Sequence, residues 1–170
     1  MTVHFDSEIL IVGAGPVGAY LGWKLASSGC RVLLLDSRPL DAIGQNIEIF
    51  HMDQIRFDEF DIPHPTKEEL IHLEEVNYNW SPDLKIKQPV RYPIYVMYMP
   101  AFIQRMQRYA SDAGATLLEN ARVEGVIVEN GKLVGVWPYK WKLTPDTPEV
   151  TLKGTVPYKI PPWVIEKYKK

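Results

Sequence analysis

Gly13-Ala14-Gly15-Pro16-Val17-Gly18 fits the spacing G-x-G-x-x-G, and its surroundings narrow the possible folds more than any other stretch of the chain. Residues 8–13, Glu-Ile-Leu-Ile-Val-Gly, form a short apolar run closed by glycine, the pattern of a strand buried on both faces. The segment that follows, to about Ser28, places Tyr20, Leu21, Leu25 and Ala26 at helical spacing, with Gly29 where a helix-ending glycine belongs. Residues 31–36, Arg-Val-Leu-Leu-Leu-Asp, make a second apolar run that ends in a carboxylate. Strand, crossover helix and strand form a right-handed parallel unit. A glycine-rich loop at its first turn and an acidic residue about 20 positions on are the marks of a dinucleotide-binding fold. The alternative is a glycine-rich turn in an unrelated α/β protein, and the register of all four features weighs against it.

Each position in the loop has its own physical task. Gly13 allows the tight turn, and Gly15 lets the backbone approach a pyrophosphate. Gly18 permits close packing of helix on strand, which Gly22 extends by one turn. The helix N-terminus adds unpaired N–H groups and about half a positive charge. Asp36 is placed to accept hydrogen bonds from the adenosine ribose hydroxyls. Its charge repels a 2′-phosphate, which argues against NADP at this position.

The rest of the chain reads as mixed α/β. Residues 47–60, with Ile47, Phe50, Ile55 and Phe57, are read as helical and close at Pro63 and Pro65. Residues 74–80 and 93–99 are aromatic and β-branched and are read as strands. An amphipathic helix is expected over 101–113, with Phe102, Ile103, Met106, Tyr109, Ala110 and Ala113 on its apolar side and Gly114 after it. A short strand at 115–119 follows. Asn130-Gly131 between two valine-rich segments is a strong hairpin signal. Seven lysines against Asp146, Glu149 and Glu166 leave residues 138–170 at +4, so the remainder carries −6 of the total of −2. Six of the 14 prolines also fall beyond position 137, and a boundary is placed there: a domain over 1–137, with inserted strands around 74–99, and a Pro/Lys-rich tail over 138–170. An acidic body disfavours nucleic acid as a partner.

The stretch Ile11-Val12-Gly13-Ala14-Gly15-Pro16-Val17-Gly18, with Glu8 five residues before Gly13, resembles FAD-dependent oxidoreductases more than NAD dehydrogenases. Leu33-Leu34-Leu35-Asp36-Ser37-Arg38-Pro39 is similar to their ribose strand and the Arg-Pro after it. The run from Tyr95 to Phe102, then Gly114-Ala115, Glu124-Gly125-Val126-Ile127 and Asn130-Gly131-Lys132-Leu133-Val134-Gly135-Val136, follows the order of one branch, the geranylgeranyl reductase-like members of the glutathione reductase-type flavoproteins. The likeness covers most of 7–136 and is strongest at 8–39 and 93–136. It implies a Rossmann-like βαβ FAD/NAD(P)-binding fold of the α/β class, with a parallel sheet, a β-hairpin and additional antiparallel strands. It also implies FAD as cofactor, with NAD(P)H admitted as electron donor. Gly13, Ala14, Gly15, Pro16, Val17, Gly18, Asp36, Ser37 and Arg38 are its implied contacts, and Val123 lies on the strand whose backbone touches adenine.

Two positions depart from the family pattern. Tyr98-Met99 stands where the family has an acidic residue and arginine, and Ile43-Gly44-Gln45-Asn46-Ile47 replaces a loop that approaches the isoalloxazine. The family's members are also much longer. The chain is therefore expected to be an N-terminal portion holding the ADP half of the site, and no catalytic residue is assigned. The expected activity is reduction of a small organic substrate, with an unsaturated lipid or isoprenoid in view. The alternatives are a non-catalytic nucleotide-binding module or a half-enzyme completed by another chain, and an NAD-binding dehydrogenase fold. A sheet cut off after 136 should expose an edge, so an oligomer or a partner chain is expected.

The remaining candidates read more plainly. Cys30, the single cysteine, is taken as a buried structural thiol, and the lack of a disulfide leans towards a reducing, cytoplasmic setting. His51, His64 and His72 lack the spacing of zinc ligands and are taken as surface residues, so no metal is expected. Asp58-Glu59 and Glu68-Glu69 are read as solvated charge pairs, and Arg105 and Arg108 as structural. The N-terminal residues show no signal-peptide pattern, and no run reaches the roughly 18 apolar residues of a membrane helix. The aromatic and basic stretch from Ile160 to Lys170 keeps a peripheral membrane contact open.

Overall fold

The computed structural model of the chain describes residues 3–90, 93–138 and 150–155. Its elements run β1 (Val3–Val12), α1 (Pro16–Ser27), β2 (Val32–Leu35), a 3-10 turn (Leu40–Ala42), β3 (Ile49–Asp53), α2 (Gln54–Glu59), β4 (Leu70–Glu74), β5 (Asn77–Trp80), β6 (Lys87–Val90), β7 (Ile94–Tyr98), α3 (Met99–Asp112), β8 (Thr116–Leu118), β9 (Val123–Glu129), β10 (Lys132–Pro138) and β11 (Val150–Thr155). Residues 1–43 and 103–170 form one compact unit, and residues 44–102 form a second.

The first unit is built on a six-stranded sheet in the order β8-β2-β1-β11-β10-β9. The pairs β1·β2, β2·β8 and β1·β11 are parallel, and β10 joins β11 and β9 antiparallel. All four residues of β2 are buried, as an apolar run between two parallel neighbours requires. Helix α1 turns its small residues Ala19, Gly22 and Ala26 inward, and its C-terminus closes with Gly29 N–H donating to the Ala26 carbonyl. Leu33, Leu35, Ala121 and Val136 make a core cluster against which Leu10, Leu118, Val123 and Val126 pack. The Asn130-Gly131 turn joins β9 to β10 as expected, with both residues at positive φ. The fold is thus α/β, a parallel sheet extended by antiparallel strands.

Strand β11 was not foreseen. It comes from beyond the compositional boundary near 138, yet it lies between β1 and β10, pairing Val150 with Val3 and Leu152 with both Phe5 and Val136. The stretch 156–170, which includes the aromatic-basic segment, lies outside the described residues.

The second unit carries a three-stranded antiparallel sheet, β3-β7-β4, and the hairpin β5-β6. Here two expectations change. Residues 47–60 are not one helix: 49–53 pair with 94–98 as β3, and only Gln54–Glu59 turn helical. The reason is tertiary, since backbone pairing with β7 outweighs the short helical pattern of the sequence. The strand expected over 74–80 is split between β4, which ends at Glu74, and β5, which begins at Asn77. Fully buried Phe57 meets the rings of Tyr95, Phe102 and His64, and fully buried Met97 lies on β7. Glu69 is also buried, contrary to the solvated reading; its carboxylate accepts the Thr66 N–H at 3.1 Å. Among the described residues, no helix is long and apolar enough to cross a membrane.

Candidate nucleotide-binding site

The end of β1, the start of α1 and the end of β2 meet at the glycine-rich loop. Gly13 N–H donates to the Leu35 carbonyl at 2.6 Å, stitching the loop to β2 at the residue before Asp36. Gly13 takes φ +107°, a conformation that side-chain-bearing residues rarely adopt. Gly18 is required for a different reason: a Cβ there would lie 1.8 Å from the Gly13 carbonyl oxygen. A Cβ on Gly15 would meet nothing within 4 Å, so the space beside this peptide is open. Pro16 occupies the first turn of α1, where its missing N–H removes no hydrogen bond, and no side chain caps that helix end. Val17 is exposed on the same turn.

Asp36 faces the loop. Its side chain is 5% exposed. Oδ2 accepts the Ala14 N–H at 2.9 Å, and Oδ1 accepts the Arg38 N–H at 3.0 Å and Arg38 Nε at 3.2 Å. Its backbone is also fixed, with its N–H donating to the Leu118 carbonyl at 3.0 Å and its carbonyl accepting from Ala121 at 2.7 Å. Burial, the largest single influence, pushes the carboxyl up. The hydrogen bonds from Arg38 and Ala14, with the Arg38 charge, outweigh it and hold Asp36 below its ordinary value of 3.8. The group is therefore an ionised, acceptor-only carboxylate near neutrality. About four acceptor positions on a carboxylate, three of them used here, leave capacity for a hydroxyl donor.

The sequence-derived residues fall into distinct places. Gly13, Ala14, Gly15, Gly18, Asp36 and Arg38 belong to one connected turn. Ser37 is exposed beside them. Val123 is partly buried and packs against the core cluster, while the segment before it runs along the Asp36 turn through Asn120 N–H to the Arg38 carbonyl at 3.2 Å. One participant went unread in the sequence. Gln107 of α3 is 5% exposed, and its Nε2 donates to the Ala14 carbonyl at 2.9 Å, 93 residues away. The available signal was position: 107 lies four residues after Ile103 and three before Ala110, on the apolar side, where a polar side chain needs a partner.

The other candidates lie outside this turn. Cys30 is only partly buried and forms no disulfide. Arg105 is buried and lies over the Tyr109 ring at 5.6 Å. His64 bridges Tyr95 Oη (2.9 Å) and Asp58 (3.2 Å) within the second unit. That unit also contains a cavity of about 340 Å³ lined by Asp53, Gln54, Ile55, Asp58 and Pro93. Among the described residues, no group of three or more His, Cys, Asp or Glu is placed to hold a metal ion.

A parallel βαβ unit whose glycine-rich loop is bonded to the carboxylate ending its second strand defines a Rossmann-type dinucleotide fold. The profile of the family "Ketopantoate reductase PanE/ApbA" matches residues 9–79, under half of the chain. A digeranylgeranylglycerophospholipid reductase of Sulfolobus acidocaldarius is 27% identical over 128 residues, which is 75% of this chain and 28% of that protein. A thiamine thiazole synthase of Aeropyrum pernix is 29% identical over 133 residues, 78% of this chain and 44% of that protein. Among solved structures, a geranylgeranyl bacteriochlorophyll reductase-like protein of Thermoplasma acidophilum superposes with TM-score 0.75 and 21% identity, over 91% of this chain and 38% of that one. The halogenase PltM, solved with phloroglucinol and FAD, gives TM-score 0.58 at 21% identity, over 79% of this chain and 31% of its own. The chain is similar to geranylgeranyl reductase-like proteins over their N-terminal portion only, and it shares their Rossmann-type fold. It spans less than half the length of these curated relatives.

Proposed function

We propose that this chain binds FAD by its ADP moiety and forms the nucleotide-binding part of an FAD-dependent oxidoreductase. The observation that carries the reading is the join between loop and carboxylate: Asp36 is buried, ionised and bonded to Ala14, with open space beside Gly15. Gly13 and Gly18 hold the turn close to the start of α1, and Gly15 admits the pyrophosphate. Asp36 accepts from the ribose hydroxyls, Arg38 keeps that carboxylate ionised and oriented, and the Val123 backbone borders adenine. Bound FAD supplies the hydride chemistry, and the protein supplies position and electrostatics. The named relatives support a small-molecule substrate of the unsaturated isoprenoid-lipid class.

A second reading has its own observation. The chain spans 28% and 44% of two curated relatives, so the second reading is a nucleotide-binding part that holds the ADP moiety without a flavin pocket of its own. Thermal shifts with FAD, ADP and AMP separate the two. A chain with its own flavin pocket is stabilised well beyond the ADP level by FAD, whereas an ADP-only half is stabilised equally by both. No stabilisation by any of them, and no quenching of flavin fluorescence, contradicts both readings.

A further inference from the structure

We infer that Gln107 is a positioning residue for the nucleotide diphosphate, holding the Ala14–Gly15 peptide so that the Gly15 N–H is presented to the pyrophosphate. The inference rests on the proposed nucleotide site and assigns the part of the ligand that this side chain governs. Ala14 is gripped from both sides by residues remote in sequence. Its N–H is taken by Asp36 at 2.9 Å, and its carbonyl by Gln107 Nε2 at 2.9 Å. The two peptide planes that flank Ala14 are thereby fixed by buried side chains, independently of the loop's own backbone. The same Nε2 makes a longer approach, 3.5 Å, to the Leu40 carbonyl, tying the turn after β2 to the glycine loop.

The direction of the Gly15 N–H then follows from covalent geometry. No peptide bond among the described residues is cis, so the Gly15 N–H points opposite to the Ala14 carbonyl. With that carbonyl aimed at α3, the N–H is aimed away from α3. Donation from Gln107 to the carbonyl polarises the same amide and strengthens its N–H as a donor. Gly15 is the N-cap of α1 and has no capping side chain, and a Cβ on it would meet nothing within 4 Å. The amide is thus oriented and polarised, with open space where a side chain on Gly15 would stand, so a phosphate oxygen meets no side chain from this residue.

The role separates from simple packing because it predicts which ligand suffers. Adenosine uses Asp36 and the adenine edge, and it lacks the diphosphate. In Gln107→Met, which keeps the shape and removes the donor, affinity for ADP and FAD should fall about tenfold while millimolar adenosine binding, followed by NMR, stays within about twofold. In the wild-type chain, the Gln107 side-chain amide resonance should shift on ADP binding and stay put with adenosine, a readout that needs no variant to fold. An ADP affinity unchanged by Gln107→Met, a loss shared equally by adenosine, or a Gln107 resonance indifferent to ADP overturns the role of Gln107 while the nucleotide site stands. Failure of wild-type protein to bind either ADP or FAD overturns both.

Discussion

Asp36 and Ala14 stand 22 residues apart in sequence and are joined by a buried 2.9 Å hydrogen bond from the Ala14 N–H to Oδ2. The bond links the two loops at the C-terminal ends of β1 and β2, the edge at which open α/β sheets bind ligands. The carboxylate thereby braces the loop, and the proposed function gives it a second purpose, accepting from a ribose hydroxyl.

Removing that charge should therefore affect binding and stability together. Asp36→Asn is expected to weaken FAD and ADP binding about 10- to 100-fold, the range for hydrogen bonds to a charged group. Because Asp36 is held below 3.8, the folded chain binds fewer protons there than the unfolded one. Its contribution is fully present above that value and is lost as pH falls through the lower folded value. The gap in melting temperature between wild type and Asp36→Asn should be widest near neutrality and shrink below pH 3.8.

Two glycines on one face of α1 should respond in opposite ways to the same substitution. Gly18→Ala drives a Cβ to 1.8 Å from the Gly13 carbonyl oxygen, a backbone atom that cannot swing aside, and should destabilise by about 2–4 kcal/mol. Gly22→Ala places its Cβ at 3.6 Å from Leu34 and 3.7 Å from Ala110, ordinary contact distances. It should be neutral or stabilising by up to about 1 kcal/mol through helix propensity. Urea unfolding of the two variants checks both signs.

In the second unit, Tyr95 Oη meets His64 Nδ1 at 2.9 Å. Burial, joined by the Asp58 charge, pushes the phenol above its ordinary value of 10.0 despite a hydrogen bond from Gln54, so it stays neutral at all working pH. Tyr95→Phe should cost about 1 kcal/mol of stability and leave ADP affinity unchanged, as calorimetry and titration would show. A large fall in ADP affinity would contradict the assignment of nucleotide binding to the loop of the first unit.

What the sequence revealed and what it hid divide along range. The β1–α1–β2 unit, the Asp36 carboxylate and the Asn130-Gly131 turn were legible because their signals are local: apolar runs, glycines at fixed spacing, one acid at a strand end. Strand β3 was not, because its identity comes from pairing Phe50 with Met97. Strand β11 was not, because Val150 pairs with Val3 at the far end of the chain. Gln107 was hidden in an amphipathic helix whose apolar pattern it interrupts by one residue, and only the position of the Ala14 carbonyl explains it. Buried Glu69 was misread for a similar reason, since its partner, the Thr66 N–H, is backbone.

The most direct measurement is a 15N-resolved NMR titration of the whole chain with ADP. Saturable shifts concentrated at the amides of Gly13, Ala14, Gly15, Val17, Gly18, Asp36 and Arg38, and abolished in Asp36→Ala, are the expected result. Saturation by ADP or FAD with those amides unmoved would show that the nucleotide binds elsewhere and would contradict the account.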